Sequence, residues 1–529
     1  MQSARRLAAN VATSDALSLL LAIRKVPILN PQQNIQSSPV CLAPVAIPTV
    51  DPIEPGNSIS NKTEAATLVD QPIPKSSFMD NVKPRQLEPA AIPYTRIGRI
   101  YELGSLAAGV SLGMMSEAVK RATGISSESD SSSLAFSPSN VERIVEKLSK
   151  MRGAALKMGQ MISIQDNRMI GPEIEDIFRR VQSSANYMPT WQLEQVLSKN
   201  LGSDWRSKFQ SFEDIPLAAA SIGQVHKAVL PTGETVAVKV QYPGVADSIS
   251  SDLANLKSLL LFGNMLPKGL YLDNMIRVAS SELSLECDYK REAAASERFR
   301  TLIAKAGLDS FYVPRVFPDL TTSRVLTTEY FQGISIDQAV TLDQKTRNDL
   351  GEKLFRLCLL ELFEFRFMQT DPNWSNFLYN PATHKIALID FGASREFPKS
   401  FTDDYLRLLH ASSVKNHEEC INYSRKLGFL TGYESSVMNN AHLKSLQLLS
   451  RPFMIDAKPL YDFSTASDIS SQVRTEIPVM LRERLTPPPD ESYSLHRKLS
   501  GFFLLCNKLE SQIHCREIFE QILNKYKFD

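Results

Sequence analysis

The chain has 529 residues, 43% of them hydrophobic and 22% charged, enough for an ample core and more than one domain. Its 59 Lys and Arg against 58 Asp and Glu leave a net charge of +1, which argues against a nucleic-acid binder. Six scattered cysteines, with no C-x-x-C pair and no Cys/His cluster, argue against a disulfide scaffold or a zinc site and point to a reducing or thiol-neutral compartment.

Residues 1–25 carry Arg5, Arg6, Arg24 and Lys25 but one acid, Asp15, among leucines and small residues. This is the pattern of a mitochondrial transit peptide; the apolar run Ala16–Ile23 is short for a secretory signal and lacks a small-residue cleavage pattern. Residues 26–98 are broken by repeated prolines and read as a disordered tether. Within 99–122, the tract Leu103–Ser116 is uncharged and holds Gly109 and Gly113 in a G-x-x-x-G. It predicts a membrane-associated or transmembrane helix that could pair in a homodimer, although it is shorter than the roughly 17–25 residues a span needs. A soluble helix using its small residues in a dimer or domain contact is the alternative. Residues 123–137 form a Ser-rich linker.

The folded body is expected from residue 138. Ser139-Asn140 can cap a helix with Val141, Ile144, Val145, Leu148 and Met151 at helical spacing. That helix can run toward Lys157-Met158-Gly159-Gln160, and more helix is expected over Pro172–Val181 and Thr190–Leu201. The texture then changes. Ser221–Val229 and Thr235–Val240 read as strands around a Pro231-Thr232-Gly233 turn, with Val236, Val238 and Val240 on one face and Lys239 on the other. A strand lysine taken alone is most simply a solvated edge residue.

Downstream, Asp371 stands five residues before Asn376, and the apolar run Ile386–Ile389 leads into Asp390-Phe391-Gly392. A lone D-F-G is weak evidence. The ordered set V-A-V-K, D-x-x-x-x-N and D-F-G has the order and chemistry of a kinase site. There a lysine neutralises nucleotide phosphates, Asn376 and Asp390 hold Mg²⁺, and Asp371 orients or deprotonates a nucleophile. The fold class that follows is α+β, a two-lobed kinase-like fold with a helical N-terminal extension.

The departures are as informative. Where a glycine-rich loop would lie the chain has Ala218-Ala219-Ala220-Ser221, with less backbone freedom over phosphates. No H-R-D precedes Asp371 and no A-P-E follows Asp390. With Lys157-Met158-Gly159-Gln160, Glu286-Cys287-Asp288, Asp371-Pro372-Asn373-Trp374-Ser375-Asn376, Thr486-Pro487-Pro488-Pro489 and Ser494-Leu495-His496-Arg497-Lys498, the chain resembles the UbiB-family atypical kinases, also called aarF-domain-containing kinases. It is most similar to their mitochondrial coenzyme Q branch, from roughly residue 100 onward.

The resemblance implies a K-x-G-Q extension over 138–204, an N-lobe over 205–331 and a C-lobe over 332–529. It implies that Lys239 is the ATP lysine paired with Glu292, and that Lys157 crosses the site to Glu286 or Asp288. Ala220 and Ser221 would lie at the phosphates, and Thr328, Glu329, Tyr330 and Phe331 would form the hinge that meets adenine. The expected activity is an ATP- and Mg²⁺-dependent atypical kinase or ATPase supporting ubiquinone biosynthesis on the matrix side of the mitochondrial inner membrane. Its partners would be coenzyme Q biosynthesis proteins and inner-membrane lipid. A non-catalytic, nucleotide-sensing scaffold of the biosynthetic complex is the alternative, and a protein kinase acting in trans fits least, because the K-x-G-Q helix would cover the peptide-docking region.

Overall fold

The computed structural model describes residues 187–261 and 271–529, the helix 138–151, and positions 105, 109, 112, 113, 115, 153, 177, 180 and 181. The transit peptide, the proline-rich tether, the Ser-rich linker and Lys157 lie outside the described residues.

Helix α1 (Pro138–Met151) buries Val141, Ile144 and Leu148 on one stripe, as its spacing predicts. It starts at Pro138, so Ser139 and Asn140 lie within its first turn and the expected cap is displaced by a residue or two. Asn140 is buried and faces Gly113, where an added Cβ would lie 2.0 Å from its Oδ1. Arg143 donates to the Gly109 carbonyl at 2.8 Å. The two glycines proposed for a dimer thus lie against the chain's own α1, letting two helices of one chain approach closely. Among the described residues, no helix is long and apolar enough to cross a membrane.

Helix α2 (Thr190–Leu201) is followed by strands β1 (Ser211–Phe212), β2 (Ala218–Ala219), β3 (Gly223–Val229) and β4 (Thr235–Gln241). Next come α3 (Val245–Leu261), α4 (Leu272–Glu286), α5 (Tyr289–Lys305), β5 (Phe311–Tyr312) and β6 (Val325–Glu329). Among the described residues five strands form an antiparallel sheet in the order β1-β3-β4-β6, with β2 also on β3. Strand β3 starts at Gly223 rather than Ser221, because the Ala220 amide turns back to the Gly223 carbonyl at 2.8 Å. Val236, Val238 and Val240 are fully buried, so β4 has the predicted alternation. It pairs on both sides, which removes the edge-residue reading of Lys239.

The second lobe contains β7 (Ile334–Ser335), α6 (Gln344–Phe363), β8 (Phe367–Gln369), β9 (Phe377–Asn380), β10 (Lys385–Leu388) and β11 (Ser394–Glu396). Helices α7 (Lys399–Ser413), α8 (His417–Lys426), α9 (Ser436–Ser450), α10 (Ser467–Glu483), α11 (Asp490–Lys508) and α12 (Cys515–Lys525) pack around them. Here a sheet runs β5-β10-β9-β7; its strand Phe311–Tyr312, within the span expected for the first lobe, pairs in parallel with β10. Among the described residues strand β8 pairs only with β11, Gln369 opposite Ser394.

Among the described residues the two largest hydrophobic clusters follow the two lobes, a small third one lies around Leu430 and Met438, and two helices belong to both large clusters. Helix α5 gives Tyr289 to the first core and Phe299 and Ile303 to the second. Helix α11 gives Tyr493 to the first and Leu495, Leu499, Phe502 and Leu505 to the second. These shared helices set how the lobes meet.

Candidate active site

Strand pairing fixes the first member of the site. Lys239 lies opposite Val225 on β3 and Leu326 on β6, with its side chain largely buried. Its Nζ donates to Glu292 Oε1 at 2.7 Å and to Asp390 Oδ2 at 3.1 Å. Burial opposes the ammonium charge, but Asp390 and Glu292 overcome it and raise its pKa well above the ordinary lysine range. Burial pushes Glu292 up to about 7 against the pull of Lys239, with Asp390 and Glu286 adding like charge.

Glu292 is delivered by α5, whose start is capped by Asp288: its carboxylate accepts from the Lys290 and Arg291 amides at 3.1 and 3.3 Å. Phe391 holds α5 from below, its ring centroid 4.9 Å from that of Phe299 and both rings buried. Arg291 adds a hydrogen bond to the Gly392 carbonyl at 2.9 Å and another to the Ser394 carbonyl. The lysine–glutamate pair and the D-F-G turn are therefore assembled together. At Gly392 an added Cβ would meet Asp390 Oδ1 at 3.3 Å, Glu286 Cγ at 3.4 Å and Glu292 Oε2 at 3.4 Å, so three carboxylate side chains converge on one backbone position.

Asp371 and Asn376 meet on the loop after β8. Asn376 Nδ2 donates to Asp371 Oδ2 at 3.0 Å, which leaves the amide oxygen as its free acceptor. The Ile389 amide donates to the Asn376 carbonyl at 3.1 Å, tying this loop to the strand that ends in Asp390. A phosphate-bound Mg²⁺ takes one or two protein oxygens, phosphate oxygens and water. Asn376 and Asp390 fit that pattern, and among the described residues no cluster of three or more His, Cys, Asp or Glu offers an all-protein cage.

The alanine-rich turn folds back on β3, Ala218 opposite Val225 and Ala219 opposite Gln224. The Ser221 carbonyl accepts from the Gly153 amide at 3.1 Å, a bond from the segment leading to K-x-G-Q. Gly223 is required by close approach: a Cβ there would lie 2.6 Å from the Val240 carbonyl oxygen and 2.7 Å from Tyr289 Oη. Thr328 and Glu329 close β6, and Phe331 stacks on Tyr312 with centroids 5.5 Å apart. The amides of Glu329 and Tyr330 are already bonded, to Arg315 at 2.9 Å and Thr235 at 3.1 Å.

The structure thus brings together Lys239, Glu286, Glu292 and Asp390, with Asp371 bonded to Asn376 beside them. Sequence reasoning missed Tyr289, whose ring centroid is 5.2 Å from Lys239 Nζ, and gave Arg497 no role. Tyr289 follows the capping Asp288 directly, and that position at a helix start was the available signal.

Residues 180–424 match the model of the ABC1 atypical kinase-like domain. The chain is 46% identical over 436 residues to the Saccharomyces cerevisiae protein named atypical kinase COQ8, mitochondrial, covering 82% of this chain and 86% of that one. It belongs to the UbiB family of atypical kinases, in the COQ8 branch. Mitochondrial COQ8B of Danio rerio is 47% identical over 473 residues, covering 89% of this chain and 74% of the relative. Rattus norvegicus COQ8B is 46% identical over 455 residues, covering 86% and 84%. A solved chain described as the Rv3197–erythromycin complex of Mycobacterium tuberculosis has 24% identity and a TM-score of 0.49, covering 73% of this chain and 96% of that chain. In this UbiB-family chain the D-F-G turn passes straight into β11 and then α7 at Lys399, without a long segment for docking a peptide.

Proposed function

We propose that this UbiB-family kinase binds Mg-ATP between its lobes and transfers the γ-phosphoryl group to a small molecule, a lipid or water, in support of ubiquinone biosynthesis. The observation that carries the reading is the assembled triad: Lys239 bonded to Glu292, the ion pair a productive kinase site requires, with Asp390 on the same ammonium, where its carboxylate could also meet Mg²⁺. Lys239 would neutralise phosphate oxygens, and Asp371 would orient the attacking group. Asn376 and Asp390 would hold Mg²⁺, whose chemistry is charge neutralisation on the phosphates. Because the Glu329 and Tyr330 amides are bonded within the protein, an adenine edge would be met by Phe331 and backbone carbonyls. Lys157 is proposed to reach Glu286 from the extension. The short connection after Gly392 favours an acceptor smaller than a folded protein. The relatives' names place them in mitochondria; action at the matrix face of the inner membrane, beside other coenzyme Q biosynthesis proteins, is the corresponding proposal.

Thermal unfolding with ATP, with and without Mg²⁺, tests the site. At about 100 times the dissociation constant, nucleotide should add roughly 2.7 kcal/mol to wild-type stability. Asp390→Asn should lose the Mg²⁺-dependent part and all turnover. Stabilisation that ignores a chelator overturns the assignment, and binding without turnover by the wild type supports the scaffold alternative instead.

A further inference from the structure

One face of α11 contacts three elements around the site: α4, β11 and the loop that carries Asp371. Asp490, Ser494, Arg497, Lys498 and Gly501 recur at helical spacing along it. Asp490 pairs with Arg277 of α4 at 2.6 Å, and Ser494 Oγ accepts from Arg395 of β11 at 3.1 Å. Arg497 donates to Glu282 Oε2 at 2.8 Å, with side-chain exposures of 5% and 9%, so this ion pair is closed to water. Glu282 lies one turn before Glu286 on α4, on the same face. Lys498 donates to Gln369 at 2.9 Å, two residues before Asp371, and Trp374 of the catalytic loop donates to the Gly501 carbonyl at 3.1 Å.

The loop lacks the arginine that ordinary kinases place before this aspartate. Thr370 occupies that position and bonds to the Ala393 carbonyl at 2.7 Å. A basic side chain beside Asp371 comes from α11 instead. Burial opposes the Arg497 charge, but Glu282, Asp371 and Glu286 together raise its pKa.

Resting on the nucleotide-site reading above, we propose that Arg497 is a positioning residue for phosphoryl transfer. Through its buried bond to Glu282 it holds the Glu286 helix in register with the Asp371 loop. Buried pairs often lose little stability when both members become apolar, whereas removal of one member strands the other's charge. The paired variant Glu282→Met/Arg497→Met therefore separates holding the fold from aligning the site.

Urea unfolding, Mg-nucleotide binding and steady-state ATP turnover of the full chain form the test. The paired variant should keep its fold and nucleotide affinity while kcat falls roughly tenfold or more. Arg497→Lys keeps the charge without the planar guanidinium that reaches Glu282, and should lower kcat with KM for ATP unchanged. A paired variant with wild-type kcat overturns the proposal, as does Arg497→Lys with kcat lost only in step with nucleotide affinity. If the paired variant fails to fold, Arg497→Lys decides. Wild-type protein that neither binds nor turns over Mg-ATP overturns the underlying site reading; normal wild-type binding and turnover beside an unaffected paired variant overturn only the role of Arg497.

Discussion

Replacing Gly501 with alanine tests how tightly α11 holds the catalytic loop. The added Cβ would stand 2.2 Å from Pro372 Cβ, 3.1 Å from its Cγ and 3.4 Å from its Cα. Carbon atoms rest about 3.5–4.0 Å apart, so helix and loop must separate by on the order of 1.5 Å. The neighbouring cavity, lined by Cys358, Glu361, Trp374 and Lys498, has a volume of ≈ 20 Å³, which is room for a water but not for the proline ring. Alanine gains up to about 1 kcal/mol over glycine in a helix, while overpacking costs about 1–3 kcal/mol. The net loss of stability should therefore be small, about 0–2 kcal/mol. Turnover should suffer far more, because Pro372 is bonded to Asp371 and a displacement of about 1 Å at a reacting group can cost roughly a hundredfold. Urea unfolding and ATP turnover on one preparation give both quantities. Pro372→Gly removes the clashing ring, and the double variant should recover at least about tenfold of the lost kcat. Wild-type turnover by Gly501→Ala, or strictly additive effects in the double variant, would refute the tight contact as the cause.

Two further predictions concern pH. Burial pushes Glu361 up to about 7, against the pull of Lys498 Nζ 3.7 Å away. The folded state then holds its proton where the unfolded chain has lost it, so this group's contribution is present below pH 4.5 and lost as pH rises through about 7, about 3 kcal/mol in all. Glu361→Gln should flatten that decline in urea midpoints; a curve parallel to wild type would count against it. His442 behaves in the opposite sense: burial, then Arg484 and His496, lower it to about 4. Its contribution is present above pH 6.5 and lost as pH falls through about 4, so His442→Gln should soften acid unfolding. An unchanged acid limb in that variant would show that the buried imidazole is not its source.

Local order was largely written in the chain. Helix α2 runs over the predicted Thr190–Leu201, and β4 has the predicted valine face, because apolar periods of 3.6 and 2 are properties of neighbouring residues. The composition of the candidate site was legible for the same reason: V-A-V-K, D-x-x-x-x-N and D-F-G are short and ordered. What they could not state is distance. Lys239 meets Glu292 and Asp390 across separations of 53 and 151 residues, and only the packing of α5 over Phe391 brings them together. Asp288 was expected, with Glu286, as a possible partner of Lys157; its described bonds are those of a helix cap. Arg497 stood in the Ser494–Lys498 motif that carries the resemblance, but the motif gave it no role. Its partner Glu282 stands 215 residues away, and the tertiary fold alone, by burying both charges against each other, made them a pair.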